Sequence, residues 1–244
     1  MKKIVKVLGF VSAGMAALAA GELIFLGREA GIGPFRKLFK GFDGEVSKIQ
    51  EKYDAASRKG EIIFYGASNF RLWTEMENDL PEYKVQNHGF GGCTDKDLVK
   101  YADRILYPYE PSVVFFQTGS NDYVALPGTD EEKVEKCMAY KREMFSRFYE
   151  QLPNAHFVVM SGLLLPGRKQ FTALTREINR QLDALCQEHS DYMTFVNAEE
   201  MTLSDGVYRD NLFRKDQIHL NHEGQLLWRD GYILPVLEKL KGKQ

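Results

Sequence analysis

The sequence predicts an α/β domain in which helices cover both faces of a mainly parallel sheet. From residue 61 onwards, short apolar runs alternate with longer segments whose apolar residues recur at helical spacing. Two of the short runs, VVFF and FVVM, are apolar at every position, as is typical of strands buried on both faces of a parallel sheet. Because strands and helices alternate along the chain, each helix is expected to cross over the sheet before the next parallel strand.

The alternating region contains five predicted strands with helices between them. An apolar stripe after Thr94 predicts one helix, and the capping-box pair Thr129 and Glu132 marks the start of another. A last helix is predicted over residues 222–240. The five strands are predicted at Ile62–Tyr65, Lys84–Asn87, Val113–Thr118, Phe157–Ser161 and Thr194–Val196.

Composition and charge exclude several classes of protein. The chain has 244 residues, of which 44% are hydrophobic and 27% are charged. These values are ordinary for a globular protein and exclude a disordered chain or a polytopic membrane protein. The net charge is −2, so no overall field favours a nucleic-acid partner. The three cysteines are too few and too scattered for a disulfide framework or a zinc knuckle.

Residues 1–27 are predicted to be a membrane anchor or a signal segment. The stretch over residues 7–27 carries a single charge, Glu22, and as a helix it would be about 31 Å long, enough to cross a bilayer core. Three interpretations stay open: an uncleaved anchor, a signal peptide cleaved at the small residues of positions 17–19, and a helix packed on the main domain. The anchor is favoured because the segment stays apolar beyond these small residues.

The charges around the apolar segment indicate where the rest of the chain lies. Four basic residues after the segment, Arg28, Arg36, Lys37 and Lys40, act in the opposite direction, whereas Lys2, Lys3 and Lys6 favour an N-terminus on the cytoplasmic side. This orientation places the main domain outside the membrane, at the cell surface, or in the secreted fraction if the segment is cleaved. Residues 28–60, interrupted by glycine and proline, are predicted to be a connector, and residues 61–244 form the main domain.

Polar residues follow the predicted strands at the edge where parallel sheets carry their chemistry. Ser68 follows the first strand, the glycine-rich stretch 89–92 follows the second, and Asn121 follows the third; Asp216 and His219 precede the last helix. A serine hydroxyl becomes a useful nucleophile when a histidine takes its proton, and a carboxylate can fix the tautomer of that histidine. Backbone N–H groups at a glycine turn and an asparagine amide can stabilise an oxyanion. Together these residues indicate acyl-transfer chemistry.

Each of these residues has a simpler interpretation when it is taken alone. Ser68 would be a helix N-cap, and Asn121 would start an Asx turn. His219 and His222 are also spaced like metal ligands, with Asp216 nearby. No further cluster of cysteine or histidine supports a metal, and none is predicted.

Four blocks of the sequence contain the residues of this set: FYGASNF, VQNHGFGGCT, FFQTGSNDY and DQIHLN. In their order and rough spacing they resemble the four blocks of the SGNH, or GDSL-like, hydrolase family. The resemblance matches Ser68 to the family nucleophile, and it matches Ser68, Gly92 and Asn121 to the donors of the oxyanion hole. It also matches Asp216 and His219 to the Asp-x-x-His base pair.

The resemblance covers about residues 61–240, so residues 61–244 are interpreted as a hydrolase domain. It implies a flavodoxin-like three-layer α/β/α sandwich and a serine esterase or acylhydrolase that needs no cofactor. The implied substrate is a small-molecule, carbohydrate or lipid ester. Two alternatives stay open: an acyltransferase that moves the acyl group to a sugar or lipid hydroxyl, and a non-catalytic binding module on the same fold. The sequence does not indicate the oligomeric state.

Overall fold

Five parallel strands form the central sheet of the computed structural model, which describes residues 41–118 and 120–242. The strand order is β2-β1-β3-β4-β5, and all neighbouring strands are parallel. This is the flavodoxin-like order. The predicted parallel sheet is confirmed, with strand bounds that differ from the prediction by one or two residues. The strands are β1 (Ile62–Gly66), β2 (Val85–Gly89), β3 (Val113–Gln117), β4 (His156–Met160) and β5 (Met193–Val196).

Helices connect the strands and follow the last one. The predicted capping box is present, because Glu132 N–H donates to Thr129 Oγ1 (3.3 Å) and Thr129 N–H donates to Glu132 Oε2 (2.9 Å). The described helices are α1 (Asp43–Lys52), α2 (Ser68–Arg71), α3 (Met76–Asp79), α4 (Asp95–Ile105), α5 (Ser120–Ala125), α6 (Asp130–Gln151), α7 (Thr172–Glu188), α8 (His222–Trp228) and α9 (Leu234–Lys241). A π-helical turn, Arg229–Ile233, joins α8 to α9.

The sheet separates two hydrophobic cores, so the domain has three layers. Successive residues of a strand point to opposite faces: in β1, Tyr65 enters one core and Phe64 enters the other. The first core is closed by apolar residues of α1, α4, α6 and α7, and the second by those of α2, α3, α8 and α9. Both faces of the sheet are therefore covered, as the uniformly apolar runs predict.

The described part of the predicted connector packs on the sheet domain. Val46, Ile49 and Tyr53 belong to the first hydrophobic core, and the backbone N–H of Phe42 donates to the hydroxyl of Tyr101 (3.1 Å). The helical spacing of these apolar residues thus reflects α1, whose apolar face is covered by the domain. The predicted N-terminal apolar helix lies outside the described residues. Within the described ranges, no helix has the length and apolar character that a bilayer crossing needs.

A small two-stranded hairpin follows the main sheet and is absent from the prediction. Its strands, β6 (Leu203–Ser204) and β7 (Val207–Tyr208), are antiparallel. Asp205 and Gly206 form the turn, and both have a positive φ (51° and 78°). Asp-Gly is the dipeptide that such tight turns favour. The strands are too short to show an alternating pattern, which explains why strand periodicity does not reveal them.

Candidate active site

Ser68 is the first residue of α2, at the turn that follows β1. The N–H of Ala67 donates to the carbonyl of Gln117 in β3 (3.1 Å), which joins this turn to the sheet. Gly89 at the end of β2 packs against α2, because a Cβ at position 89 would lie 2.4 Å from the backbone nitrogen of Arg71. A side chain at position 89 would therefore push α2 away from the sheet. Ser68 stays partly exposed at the carboxyl end of β1.

The structure brings Ser68, His219 and Asp216 into one hydrogen-bonded chain. Ser68 Oγ lies 2.8 Å from His219 Nε2, and His219 Nδ1 lies 2.7 Å from Asp216 Oδ2. A carboxylate only accepts hydrogen bonds, so His219 Nδ1 donates to it and Nε2 is the acceptor that faces the serine hydroxyl. This is the tautomer that a base beside Ser68 requires.

A tight turn holds Asp216 against His219. The second carboxylate oxygen of Asp216 accepts the backbone N–H groups of Ile218 (2.9 Å) and His219 (3.0 Å). Between them Gln217 has a φ of 58°, in the left-handed region where a non-glycine residue is held only by its surroundings. The three-residue spacing of Asp216 and His219 therefore reflects a closed turn rather than successive positions on a helix.

Burial and hydrogen bonding shift the pKa values of both partners downwards. Burial lowers the pKa of His219 below its ordinary value, with smaller contributions from Arg168 and Arg71 in the same direction; the hydrogen bond and charge of Asp216 oppose the shift without reversing it. For Asp216, burial acts to raise the pKa, but the hydrogen bonds from His219 and Ile218 outweigh it and the pKa falls below its ordinary value. At neutral pH the pair is therefore a neutral imidazole beside a carboxylate.

Hydrogen bonds from neighbouring residues hold α2, the serine helix, against residues 214–220, the histidine loop. The buried side chain of Asn69, the residue after Ser68, accepts the backbone N–H of Leu220, the residue after His219 (3.1 Å). The carbonyl of Leu72 at the end of α2 accepts Arg214 Nη2 (3.0 Å) and Gln225 Nε2 (3.3 Å). The 2.8 Å contact between Ser68 and His219 is thus supported by further hydrogen bonds between the same two segments of the chain.

The glycine-rich stretch after β2 places one free N–H beside the serine turn. Gly89 N–H donates to the side chain of Asn87 (3.0 Å), and Gly91 N–H donates to Glu45 of α1 (2.9 Å). Gly92 is buried and has a φ of 76°, a conformation that a side chain would disfavour. Its N–H has no acceptor within residues 41–118 and 120–242. Of the glycines at positions 89, 91 and 92, Gly92 is the one whose donor is available.

Asn121 is fixed at the start of α5 with one amide hydrogen committed. Its Nδ2 donates to the carbonyl of Cys93 (3.0 Å), the residue after Gly92. The side chain is buried, and a primary amide carries two N–H donors. The second N–H is available for another acceptor. Because the first is bonded to the residue after Gly92, the amide of Asn121 is held close to the glycine turn.

A buried charge network lies behind the glycine turn and Asn121. Lys141 of α6 donates to Asp95 Oδ2 (2.9 Å) and to Thr118 Oγ1 (2.7 Å), and the N–H of Asp95 donates to Asp122 Oδ1 (3.0 Å). Lys141, Asp95 and Asp122 are all buried. Burial and the charge of Asp95 raise the pKa of Asp122 well above its ordinary value. The network joins the start of α4, just after the glycine turn, to the residue that follows Asn121.

Replacing Lys141 by methionine is expected to lower the free energy of unfolding by about 3–5 kcal/mol, because it leaves the Asp95 carboxylate buried without its cation. Urea unfolding at pH 7 measures this change. The exposed Lys136 on the same helix provides the control, and Lys136→Met is expected to change the same quantity by less than about 0.5 kcal/mol. A similar small loss in both variants would show that the network contributes little to stability.

His222 does not join His219 in a shared ligand set. Its Nε2 lies 3.1 Å from Asp79 Oδ2, whereas His219 is paired with Asp216. Across the two described ranges, no three His, Cys, Asp or Glu residues are grouped so that they could hold a metal ion.

Three buried side chains that shape this site have no role predicted from the sequence: Asn69, Lys141 and Arg168. Asn69 follows Ser68 directly, so its position beside the serine is the one signal that sequence offers for it. Lys141 lies on a long helix at the spacing of its buried apolar face, between Met138 and Phe145, and this spacing is the signal that sequence offers for its burial. Arg168 lies in a loop after β4, where its burial has no local sequence signature.

Several solved structures share the fold described above. A candidate platelet activating factor from Streptococcus pneumoniae superposes with a TM-score of 0.65 at 16% identity, over 88% of this chain and 96% of that one. A GDSL-like lipase from Bacteroides thetaiotaomicron gives 0.61 at 14% identity, over 82% and 96%. A variant of an acetyl-xylooligosaccharide esterase from Geobacillus gives 0.51 at 17% identity, over 69% and 90%. At these identities the likeness shows the fold.

Sequence comparison identifies the family. No curated protein matches the chain. The model of the GDSL-like lipase/acylhydrolase family matches residues 62–227, a region that starts at β1 and includes the serine, glycine, asparagine and histidine blocks. Because this match extends over more than half of the sequence, the chain belongs to the GDSL-like lipase/acylhydrolase family and is a serine hydrolase that acts on carboxylic esters.

Proposed function

We propose that Ser68, His219 and Asp216 form the catalytic triad of an esterase or acylhydrolase. The observation that carries the proposal is the unbroken chain of hydrogen bonds from Ser68 Oγ through both ring nitrogens of His219 to Asp216. Ser68 Oγ attacks the ester carbonyl carbon while His219 Nε2 takes the hydroxyl proton. The C–O bond to the alcohol then breaks, and His219 returns that proton to the departing oxygen.

Water completes the reaction through the same base. His219 removes a proton from a water molecule, whose oxygen attacks the acyl-enzyme carbonyl. The bond to Ser68 Oγ then breaks, and the proton passes back to the serine. Asp216 keeps Nδ1 protonated throughout and stabilises the imidazolium form while it exists.

In this proposal the oxyanion is stabilised by the N–H groups of Ser68 and Gly92 and by the amide of Asn121. Ser68 is the first residue of a helix, where backbone N–H groups have no intrahelical partner. The free N–H of Gly92 and the second amide hydrogen of Asn121 support the same assignment. Removing one such donor typically costs about 2.7–4 kcal/mol of transition-state stabilisation.

The proposed substrates are small-molecule, carbohydrate or lipid esters. One solved structure of the same fold belongs to an acetyl-xylooligosaccharide esterase, which makes acetylated sugars a suitable part of a substrate panel. A fluorophosphonate probe and a series of p-nitrophenyl esters of increasing acyl length test the proposal. An esterase is labelled at Ser68 and hydrolyses at least one ester, whereas a binding module does neither. Acyl transfer to an added sugar in preference to water would identify an acyltransferase.

The pH dependence is expected to report the lowered pKa of His219. The base must be neutral, and a pKa below the ordinary value of about 6.5 keeps the imidazole neutral in weakly acidic solution. We therefore expect kcat/KM to stay high at pH 6.5 and to fall, with a slope of one proton, at a lower pH. A midpoint above about 6.5 would contradict the expected direction of the shift.

We also propose that residues 7–27 form an apolar helix that anchors the enzyme, with the hydrolase domain on the outer side of the membrane. The apolar span and the preceding lysines support this proposal. Full-length protein is expected in the membrane fraction after cell breakage. In a separate test, protease added to intact cells is expected to cleave the hydrolase domain. A variant without residues 1–27 is expected to be soluble and active on soluble esters, because the triad and oxyanion residues lie beyond the deletion. Full-length protein found only in the soluble cytosolic fraction would contradict the proposal.

A further inference from the structure

Arg168 is a buried cation in the loop that follows β4. The residue is 4% exposed, and it lies in the 3-10 segment Pro166–Phe171. The preceding Gly167 joins this segment to the histidine loop, since its N–H donates to the carbonyl of Gln217 (2.8 Å). A Cβ at position 167 would lie 2.9 Å from the carbonyl oxygen of Asp216. Close backbone packing of Gly167 on the histidine loop therefore fixes the position of the Arg168 guanidinium.

The guanidinium reaches the start of α5. Arg168 Nη1 donates to Ser120 Oγ (2.5 Å) and lies 3.4 Å from Asn121 Oδ1, while Nη2 lies 3.5 Å from the same oxygen. The planar fork of an arginine holds two acceptors in a fixed relation, which a single ammonium group does not. Ser120 and Asn121 are thus approached by one rigid group.

The Asn121 amide is consequently held at both ends. Its oxygen faces Arg168, and its nitrogen donates to the carbonyl of Cys93 (3.0 Å). If the amide rotated by half a turn, its NH₂ group would face the N–H donors of Arg168, and its oxygen would face the carbonyl of Cys93. Both contacts would then be repulsive, and leaving buried donors and acceptors unmatched costs about 1–3 kcal/mol each.

We propose that Arg168 is a positioning residue that fixes the orientation of the Asn121 amide, so that its free N–H faces the oxyanion. The inference rests on the proposed role of Asn121 in ester hydrolysis. It adds a residue outside the proposed triad that acts through the hydrogen-bond donor Asn121. Its effect belongs to the transition state, because the oxyanion forms only there.

The test compares steady-state kinetics of Arg168→Met and Arg168→Lys on the full chain, with a p-nitrophenyl ester that the unmodified enzyme hydrolyses. We expect Arg168→Met to lower kcat by about 10²-fold with KM changed less than about threefold, as for loss of one oxyanion donor. Arg168→Lys keeps the charge without the fork and is expected to lower kcat by about tenfold. The exposed Arg180 is the matched control, and Arg180→Met is expected to leave both constants unchanged.

A double-mutant cycle separates positioning from general damage to the fold. If Arg168 acts through Asn121, adding Arg168→Met to Asn121→Ala should lower kcat by no more than about threefold further. Independent, multiplicative losses would overturn the inference, and so would a full kcat in both Arg168 variants. If Arg168→Met does not fold, as judged by circular dichroism, the same cycle with Arg168→Lys decides between these outcomes. An Asn121→Ala enzyme with unchanged kcat would instead refute the proposed oxyanion role itself.

Discussion

Replacement of Ser68 by alanine is expected to remove ester hydrolysis, with a loss of about 10⁴-fold or more in kcat. The hydroxyl is the group that forms and breaks the bond to the acyl carbon, and alanine offers no substitute for it. Fluorophosphonate labelling should disappear in parallel, since the probe reacts with the same oxygen. Because Ser68 is partly exposed, its loss is expected to leave the unfolding midpoint close to that of the unmodified enzyme.

Ser204 provides the control for this variant. It is exposed in the β6–β7 hairpin, and Ser204→Ala is expected to retain both turnover and labelling. The informative alternative is Ser120, which also lies at a strand end. If Ser68→Ala kept full activity while Ser120→Ala lost it, the nucleophile would be wrongly assigned.

Removal of the base is expected to cost nearly as much as removal of the nucleophile. His219→Ala leaves Ser68 without a proton acceptor, and losses within one catalytic unit are not additive, so the double variant with Ser68→Ala should be no slower than either single one. Asp216→Asn is expected to be milder by about 10²-fold than His219→Ala, because the base is still present but its Nδ1 no longer faces a carboxylate. Stopped-flow or steady-state assays of ester hydrolysis measure all three losses.

His222→Ala is the matched histidine control. Its side chain is 54% exposed and pairs with Asp79, so activity is expected to stay near that of the unmodified enzyme. A severe loss in His222→Ala, together with inactivation by chelators that Zn²⁺ reverses, would contradict the triad and favour a metal site built from His219 and His222.

The strands and the motif residues could be read from the sequence because both depend on local patterns. VVFF and FVVM show buried strands directly, since both faces of a central parallel strand must be apolar. Once the strands are located, the convergence of Ser68, Gly92 and Asn121 follows, because parallel strands end at one edge. Which glycine offers a free donor could not be read in this way. The answer depends on Glu45, which comes from a helix before the sheet and occupies the N–H of Gly91.

The burial of Arg168 and Lys141 depends on contacts between distant parts of the chain. Arg168 and Asn121 are 47 residues apart and Lys141 and Asp95 are 46 apart, and neither pair shares a helix face or a strand register. Charged residues are seldom fully buried without a partner, so the residue type alone favours a solvated surface for both cations, although the helical spacing of Lys141 is that of a buried face. The β6–β7 hairpin is a different case, since Asp205-Gly206 is a turn signal and only the shortness of the strands conceals it.

The hydrogen bonds that join the serine helix to the histidine loop also affect the order of events in folding. Ser68 and His219, and likewise Asn69 and Leu220, are separated by 151 residues, whereas each strand of the sheet pairs with partners that lie nearer in sequence. Closing a longer loop costs more chain entropy before any contact compensates for it. In refolding, hydrolytic activity should therefore return after the circular-dichroism signal of the sheet and helices. The rate at which activity recovers would then measure the final docking of the C-terminal part of the chain.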